Sequence, residues 1–347
     1  MEAGSILKLF ILATMSFGIA FLMTPVLTRL LYKFKMGKQI RDSKTAPTVS
    51  RMHKDKSGTP TMGGILVWLT TFILAIVFYY GARFFNWEIF KYLNFLSRPQ
   101  TLLPLGVLVA SALVGLVDDW FNVKRIGPHG GGLAMRHRLL IYTAIAVVGA
   151  WWFHSKLEWD LIHLPFVGNF NIGWWYIPLF IFIIVATSFS VNETDGLDGL
   201  AGGTLLSAFT AYAAISFVQG KFDLAAFCVV ICGALLAFLW FNINPARFFM
   251  GDTGAMSLGV TLGVLAMLTN TVFLLPLIGS VFVLESVSVI IQMTSKKLRH
   301  GKKVFLAAPI HHHFEAIGWP EPKIVMRFWI ISAVTTLIGL ILFLIDK

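Results

Sequence analysis

Three carboxylates and an asparagine fall within V-N-E-T-D-G-L-D-G-L, residues 191–200, directly behind the almost wholly apolar run Trp174–Ser190. Ionised groups at the end of a membrane segment are costly unless paired, metal-bound or facing water, so they read as a functional site. Two further acidic points share that placement. Asp118 and Asp119 close the apolar run that begins near Leu102, and Asp252 stands between apolar runs in F-F-M-G-D-T-G. Carboxylates gathered at one membrane face suit a hard cation and a phosphorylated substrate. Neighbours on a helix point about 100° apart, so Asp118 and Asp119 need not share a task. Asn192, Asp195 and Asp198 are spaced three apart, which on a helix places all three on one face, with Gly196 and Gly199 letting backbone approach a ligand.

Other groups fit the same chemistry. Lys56-Ser-Gly-Thr-Pro-Thr-Met-Gly-Gly64 is rich in Gly and Thr. Its amides, hydroxyls and lysine suit phosphate, although it lacks the G-x-x-x-x-G-K spacing of a P-loop. Asn242, Asn244 and Arg247 precede Phe248 and Phe249 ahead of Asp252. Aromatic rings at a membrane boundary normally anchor a span, and one beside a phosphate site can instead stack on a nucleobase. His311-His312-His313 sits in A-P-I-H-H-H-F-E. Zinc ligands on a helix usually come four apart, so consecutive histidines fit hydrogen bonding or proton carriage better than a zinc site. Glu285 and Gln292, seven apart, share a helical stripe and suit pocket or interhelical contacts. Cys228 and Cys232 read as core packing residues, with no disulfide framework or Cys-based zinc site.

The elements that position these groups follow from composition. The 347 residues are 57% hydrophobic and only 13% charged, where a soluble domain carries about a quarter charged residues. Ten apolar runs approach the length that crosses a bilayer, at about 5–32, 62–81, 101–119, 139–153, 173–190, 203–219, 224–241, 254–270, 273–293 and 327–345. The chain is expected to be an all-α polytopic membrane protein, a single integral domain over 1–347. No cleavable signal is evident. Between spans, L-P-F-V-G-N-F-N-I-G carries a Gly-Asn turn signal that suggests a small outer-face β-hairpin. Most of the 28 Lys and Arg residues fall in Arg29–Lys56, Lys124–Arg138 and Lys296–Arg327, beside loops that alternate to one side with the acidic clusters. The positive-inside rule makes that face cytoplasmic. The net charge of +11 therefore reports topology and phosphate attraction, not a nucleic-acid partner.

Taken together, G-T-P-T-M-G-G, V-D-D, N-x-T-D-G-L-D-G-L-A, F-L-W-F-N, F-M-G-D-T-G and A-P-I-H-H-H-F-E with G-W-P-E-P-K-I-V-M-R-F-W-I resemble the polyprenyl-phosphate N-acetylhexosamine-1-phosphate transferases. The likeness spans nearly the whole chain and is strongest to the branch that uses a UDP-MurNAc-pentapeptide donor. It implies a ten-helix, dimeric enzyme of the bacterial cytoplasmic membrane with its active site on the inner face. Phospho-MurNAc-pentapeptide would pass from its UDP conjugate to undecaprenyl phosphate with Mg²⁺, giving lipid I and UMP in peptidoglycan biosynthesis. By motif, the resemblance implies that Asp252 binds magnesium and that Asp118 contacts or deprotonates the lipid phosphate, with Asp119 and His312 also catalytic. Lys56, Thr61, Asn192, Asp195, Gly196, Leu197 and Asp198 would line the nucleotide and diphosphate region. Asn242 and Phe249 would hold the uridine, Phe249 by stacking, and Gln292, His311 and His313 would complete the site.

The chain departs from the family pattern at Glu193, where leucine is usual, at Asn122, where lysine commonly follows the aspartate pair, and at Arg136-His137-Arg138. Two other readings stay open: a GlcNAc-1-phosphate transferase using UDP-GlcNAc, and a cation-coupled transporter, whose acids would lie near the bilayer midplane on broken or repeated helices.

Overall fold

The computed structural model describes residues 2–37, 56, 58–85, 87–128, 131–156 and 159–347. Most of the basic stretch between Arg29 and Lys56, and Ser57 of the Gly- and Thr-rich loop, lie outside the described residues. The chain runs through α1 (Glu2–Lys33), α2 (Ile65–Phe84), the short α3 (Glu88–Leu93), α4 (Leu102–Val123) and α5 (Met135–Lys156). A two-stranded hairpin, β1 (Leu161–Leu164) and β2 (Gly168–Asn171), precedes α6 (Tyr176–Thr194), α7 (Leu200–Val218), α8 (Phe222–Asn242) and α9 (Asp252–Leu268). The short α10 (Leu275–Ile278), then α11 (Ser280–Leu298), the one-motif helix α12 (Ile310–Ala316) and α13 (Glu321–Asp346) complete it.

Seven of these helices, α1, α2, α4, α6, α7, α8 and α13, are long and apolar enough to cross a bilayer. α5, α9 and α11 fall where the other three expected spans lie. α9 is only 17 residues long, and the expected ninth span is broken at Gly279 into α10 and α11. Large apolar side chains such as Leu22, Phe182 and Ile330 point outward from the bundle, the pattern of a surface facing lipid. Cys228 and Cys232 are free and buried, as core packing requires.

α9 is the axis of the bundle. All its residues from Thr253 to Leu268 are buried, and it packs against α4 and α6. Small residues make that approach possible, as in membrane helix pairs generally. A β-carbon on Gly259 would lie 2.7 Å from the Thr187 carbonyl of α6, and one on Gly115 of α4 would lie 2.4 Å from the Asp252 carbonyl. Because successive helices run back and forth, the C-terminal ends of α4, α6 and α8 meet the N-terminal ends of α5, α7, α9 and α13.

The hairpin lies at the other end of the bundle, tied by His163 and Phe166 to Asp346 near the C-terminus. Its strands are antiparallel, with Leu164 opposite Gly168. The turn is the three-residue Pro165–Val167, with Phe166 at φ 64°. The Gly-Asn pair that signals the hairpin in sequence therefore opens the second strand instead of forming the turn.

Candidate active site

Asp118 and Asp119 lie near the end of α4, and their side chains take up different tasks. Asp119 is 6% exposed and faces the start of α9, where its oxygens accept from Thr253 N at 3.1 Å and Thr61 Oγ1 at 3.2 Å. A carboxylate there satisfies a free helix-terminal amide and complements the positive end of the dipole. Gly251 must be bare, since its φ is 73° and a β-carbon would meet Asp119 Oδ2 at 2.4 Å. Asp119 thus fixes the turn that delivers Asp252.

Asp118, 3% exposed, faces the opposite way, into a polar cluster. Its Oδ1 accepts from Leu133 N at 2.5 Å. Its Oδ2 lies 2.9 Å from Arg138 Nε at the start of α5, while the Nε hydrogen points at the Leu133 carbonyl, 3.3 Å away. The contact is an ion pair without an aligned hydrogen bond, and Oδ2 has no donor among the described residues. Arg138 Nη1 reaches Asp252 Oδ2 at 3.0 Å, and Asn192 Nδ2 donates to Asp252 Oδ1 at 2.7 Å. Two helix ends, of α4 and α6, and two helix starts, of α5 and α9, therefore share a single guanidinium–carboxylate cluster.

The run Asn192–Asp198 does not keep helical spacing. α6 stops at Thr194, and residues 195–199 form a turn before α7, because Gly199 takes up a left-handed φ of 82°. The three side chains diverge instead of lining one face. Asn192 holds Asp252, Asp195 accepts from Gly251 N at 3.1 Å, and Asp198 turns to Lys56. Leu197 is a packing residue, buried with Leu200, Val281, Ile324, Val325 and Phe328 in a small apolar cluster beneath the site. That cluster anchors the turn to α11 and α13.

Lys56 Nζ lies 2.7 Å from Asp198 Oδ1 and 2.5 Å from Glu321 Oε1, and 5.9 Å from the Phe249 ring centroid. Glu321 also accepts from Asp198 N at 2.6 Å, and Asn244 donates to both acids. Phe248 is fully buried in the core, whereas Phe249 is half-buried beside the lysine. Asn242 is buried, and its amide bridges Gly199 N (3.0 Å) and the Phe248 carbonyl (2.8 Å). It ties the Gly199 turn to the segment ahead of Phe249 through backbone. The amides of Gly63 and Gly64 are spent on the Phe249 and Met250 carbonyls at 2.8 and 2.9 Å. The Gly- and Thr-rich loop is therefore a backbone clasp on residues 249–250 and not an open phosphate nest.

The three histidines point to three partners. His311 is fully buried, with Nδ1 2.9 Å from Glu285 Oε2 and its ring against Gly196. His312 Nδ1 lies 2.6 Å from Glu315 Oε2, and His313 Nδ1 accepts from Leu306 N at 3.2 Å. Gln292 accepts from Val304 N and Phe305 N, each at 3.0 Å, and donates to the Phe305 carbonyl at 2.8 Å. It pins the loop that carries the histidines. The rings of His311 and His312 lie 4.1 Å apart, but their Nδ1 atoms face different acids and His313 turns to backbone, which does not make a zinc site. Among the described residues no three His, Cys, Asp or Glu side chains form a metal cage.

Sequence reasoning gave Glu321 and Arg138 no role. Glu321 could have been found by the logic that singles out Asp252: a carboxylate at the first position of an apolar helix. Arg138 gives no comparable signal, because its position between two acids from different helices is a tertiary fact.

Comparison with known proteins bears on this geometry. The Glycosyl transferase family 4 model matches residues 101–270, and the Phospho-N-acetylmuramoyl-pentapeptide-transferase signature 1 matches residues 56–66. Phospho-N-acetylmuramoyl-pentapeptide-transferase of Chloroflexus aggregans is 40% identical over 325 residues, covering 90% of this chain and 83% of the relative. Those of Geobacillus thermodenitrificans and Bacillus subtilis are 39% and 38% identical, covering 94% of this chain and 94% and 95% of theirs. The chain belongs to the phospho-N-acetylmuramoyl-pentapeptide-transferase family. The family signature covers the Lys56 clasp, and the family 4 model covers Asp118, Asp119, Arg138, Asp195, Asp198 and Asp252.

A divalent metal fits the residues present. Asp118 Oδ2 is a buried carboxylate oxygen without a donor, Asp252 lies beside Asp118, and Arg138 contacts both acids. Magnesium is usually held by one or two carboxylates, with water and substrate phosphates completing the octahedron.

Proposed function

We propose that this chain transfers phospho-MurNAc-pentapeptide from UDP-MurNAc-pentapeptide to undecaprenyl phosphate, giving lipid I and UMP. The observation that carries the reading is the meeting of Asp118, Asp252, Arg138 and Lys56 with the Asp195–Asp198 turn at one end of an apolar bundle. Its relatives' shared name gives the donor sugar. Transferases of this family depend on a divalent metal; we assign Mg²⁺, with Asp252 as its principal ligand. When bound there, the ion would supply the charge neutralisation that a departing UMP needs.

The chain's own groups do the rest by alignment and electrostatics, as phosphoryl transfer requires. Lys56 and Arg138 are the cations within reach of the diphosphate, with Asp198 and Glu321 holding the lysine. Phe249, half-buried and beside Lys56, stacks on uracil. Asp118 orients the lipid phosphate. A phosphomonoester with a second ionisation near pH 6 is largely a dianion at neutral pH, so Asp118 has little proton to remove. Direct in-line attack follows, with no phosphorylated enzyme on the path.

The reading further includes ten spans, a homodimer, and a cytoplasmic position for the site. Its support for the last is charge: Lys124, Arg125, Arg136, Lys296, Lys297, Lys302 and Lys323 flank the site end, as the positive-inside rule expects of the inner face.

The test uses purified protein, undecaprenyl phosphate and either UDP-MurNAc-pentapeptide or UDP-GlcNAc. UMP release with the first donor alone is expected, and release with only the second overturns the assignment. A stoichiometric burst of UMP from the donor without lipid phosphate, with a phosphorylated protein, would overturn direct attack.

A further inference from the structure

Arg138 joins two acids that would otherwise repel each other. It uses different nitrogens for each: Nε lies 2.9 Å from Asp118 Oδ2 and Nη1 3.0 Å from Asp252 Oδ2. The planar guanidinium makes such a bridge possible, whereas a lysine offers a single point charge. Asp252 Oδ1 is already engaged by the Asn192 amide at 2.7 Å. The other oxygen, Oδ2, is the one that Arg138 holds, so a cation ligated there meets the guanidinium. A guanidinium and a divalent ion cannot both sit on that oxygen at contact distance, because like charges at that range repel strongly in a poorly screened site. Arg138 has room to leave. Its side chain keeps 22% of its surface exposed, against 3% for Asp118, and it stands at the first turn of α5, beside the loop that carries Leu133.

We propose that Arg138 is a tethered counter-ion that competes with the divalent metal for Asp252. Metal entry displaces Nη1 from Oδ2, and the freed guanidinium turns to the phosphate oxygens of the donor, whose geometry its fork matches. Arg138 thus holds the acidic pair together, lowers its metal affinity, and couples metal binding to exposure of a phosphate-gripping group. This rests on the reading of Asp252 as the metal ligand.

The experiment measures Mn²⁺ binding to the full-length, detergent-purified protein from the electron paramagnetic resonance signal of free Mn²⁺. Wild type, Arg138→Lys and Arg138→Gln are compared, each alone and with Asp252→Asn. Arg138→Gln is expected to bind Mn²⁺ about tenfold more tightly than wild type, with Arg138→Lys between them and with lower kcat/KM for the UDP donor in both. Asp252→Asn removes binding in every background. A merely structural arginine gives the opposite sign, since a disturbed site loses affinity. If Arg138→Gln does not yield folded protein, the gain in Arg138→Lys decides. Unchanged or weaker binding in the folded Arg138 variants, with Asp252→Asn still abolishing it, overturns the competition. Binding untouched by Asp252→Asn overturns the metal-site reading, and the competition with it.

Discussion

His311 fills the space that a side chain at position 196 would need: a β-carbon on Gly196 comes to 2.2 Å from His311 Nε2. Glu285 holds the same ring from behind, 2.9 Å from Nδ1, and both His311 and Glu285 are fully buried. The turn that carries Asp195 and Asp198 is therefore interlocked with the histidine motif more than 100 residues away. Misplacing a site by about 1 Å can cost 100-fold in rate.

Gly196→Ala is accordingly expected to lower kcat/KM for UMP release by about 100-fold in folded protein. Residue 196 is absent from the positive-φ glycines, so the penalty is steric and not one of backbone strain. Near-normal turnover in Gly196→Ala would show that the ring and the turn are not coupled.

Gly115 and Gly106 in α4 make a matched pair. A β-carbon on Gly115 would run into backbone, the Asp252 carbonyl at 2.4 Å and Thr253 Cα at 2.6 Å, whereas one on Gly106 meets nothing within 4 Å. Gly115→Ala should cost about 1–3 kcal/mol, the usual penalty of overpacking, and depress turnover by moving α4 away from α9. Gly106→Ala should leave both unchanged or raise stability slightly, since Ala is the better helix former. Thermal unfolding and UMP release on the two variants check this, and equal behaviour would contradict it.

Much of this site was legible because a charge is conspicuous in an apolar chain. Asp118, Asp119, Asp195, Asp198 and Asp252 stand out at the ends of apolar runs, and the bundle brings those ends together. The helices themselves follow from long apolar runs bounded by Gly, Pro and charge. What sequence hides is which group faces which. The spacing of Asn192, Asp195 and Asp198 mimics a helical face, but Gly199 bends the backbone and sends each side chain to a different partner. Gly63 and Gly64 look like a phosphate nest until residues 249–250 take their amides. Neither outcome is local, because each depends on a segment distant in sequence.

Lys56 is held between Asp198 and Glu321 at 2.7 and 2.5 Å. Removing the cation leaves two close carboxylates without compensation, so Lys56→Met is expected to raise KM for the UDP donor at least about tenfold. Glu321→Gln keeps one acceptor for the Asp198 amide, removes the negative charge beside the lysine and leaves Asp198 to hold it, and a smaller rise is expected. Steady-state kinetics at varied donor concentration checks the order, and a larger effect in Glu321→Gln than in Lys56→Met would contradict it.

At the opposite end of the bundle, His163 makes a latch with a predictable pH response. Its hydrogen bond to Asp346, 2.6 Å from Nε2, raises its pKa above the ordinary histidine value; burial opposes this and Asn169, 2.8 Å from Nδ1, adds to it. A raised value in the folded state means that the contribution to stability is complete below about pH 6.5 and is lost as pH rises through the folded value. The difference in Tm between wild type and His163→Gln should therefore be larger near about pH 6 than near about pH 8.5. A difference that does not change with pH would remove the imidazolium from the latch.

The most direct measurement is UMP release from UDP-MurNAc-pentapeptide and undecaprenyl phosphate, with and without Mg²⁺, by wild type and Asp252→Ala. Release that requires Mg²⁺ and falls below detection in folded Asp252→Ala protein is the predicted result. Wild-type release in the absence of any divalent metal, or turnover that survives in Asp252→Ala, would contradict a metal-dependent site built on Asp252.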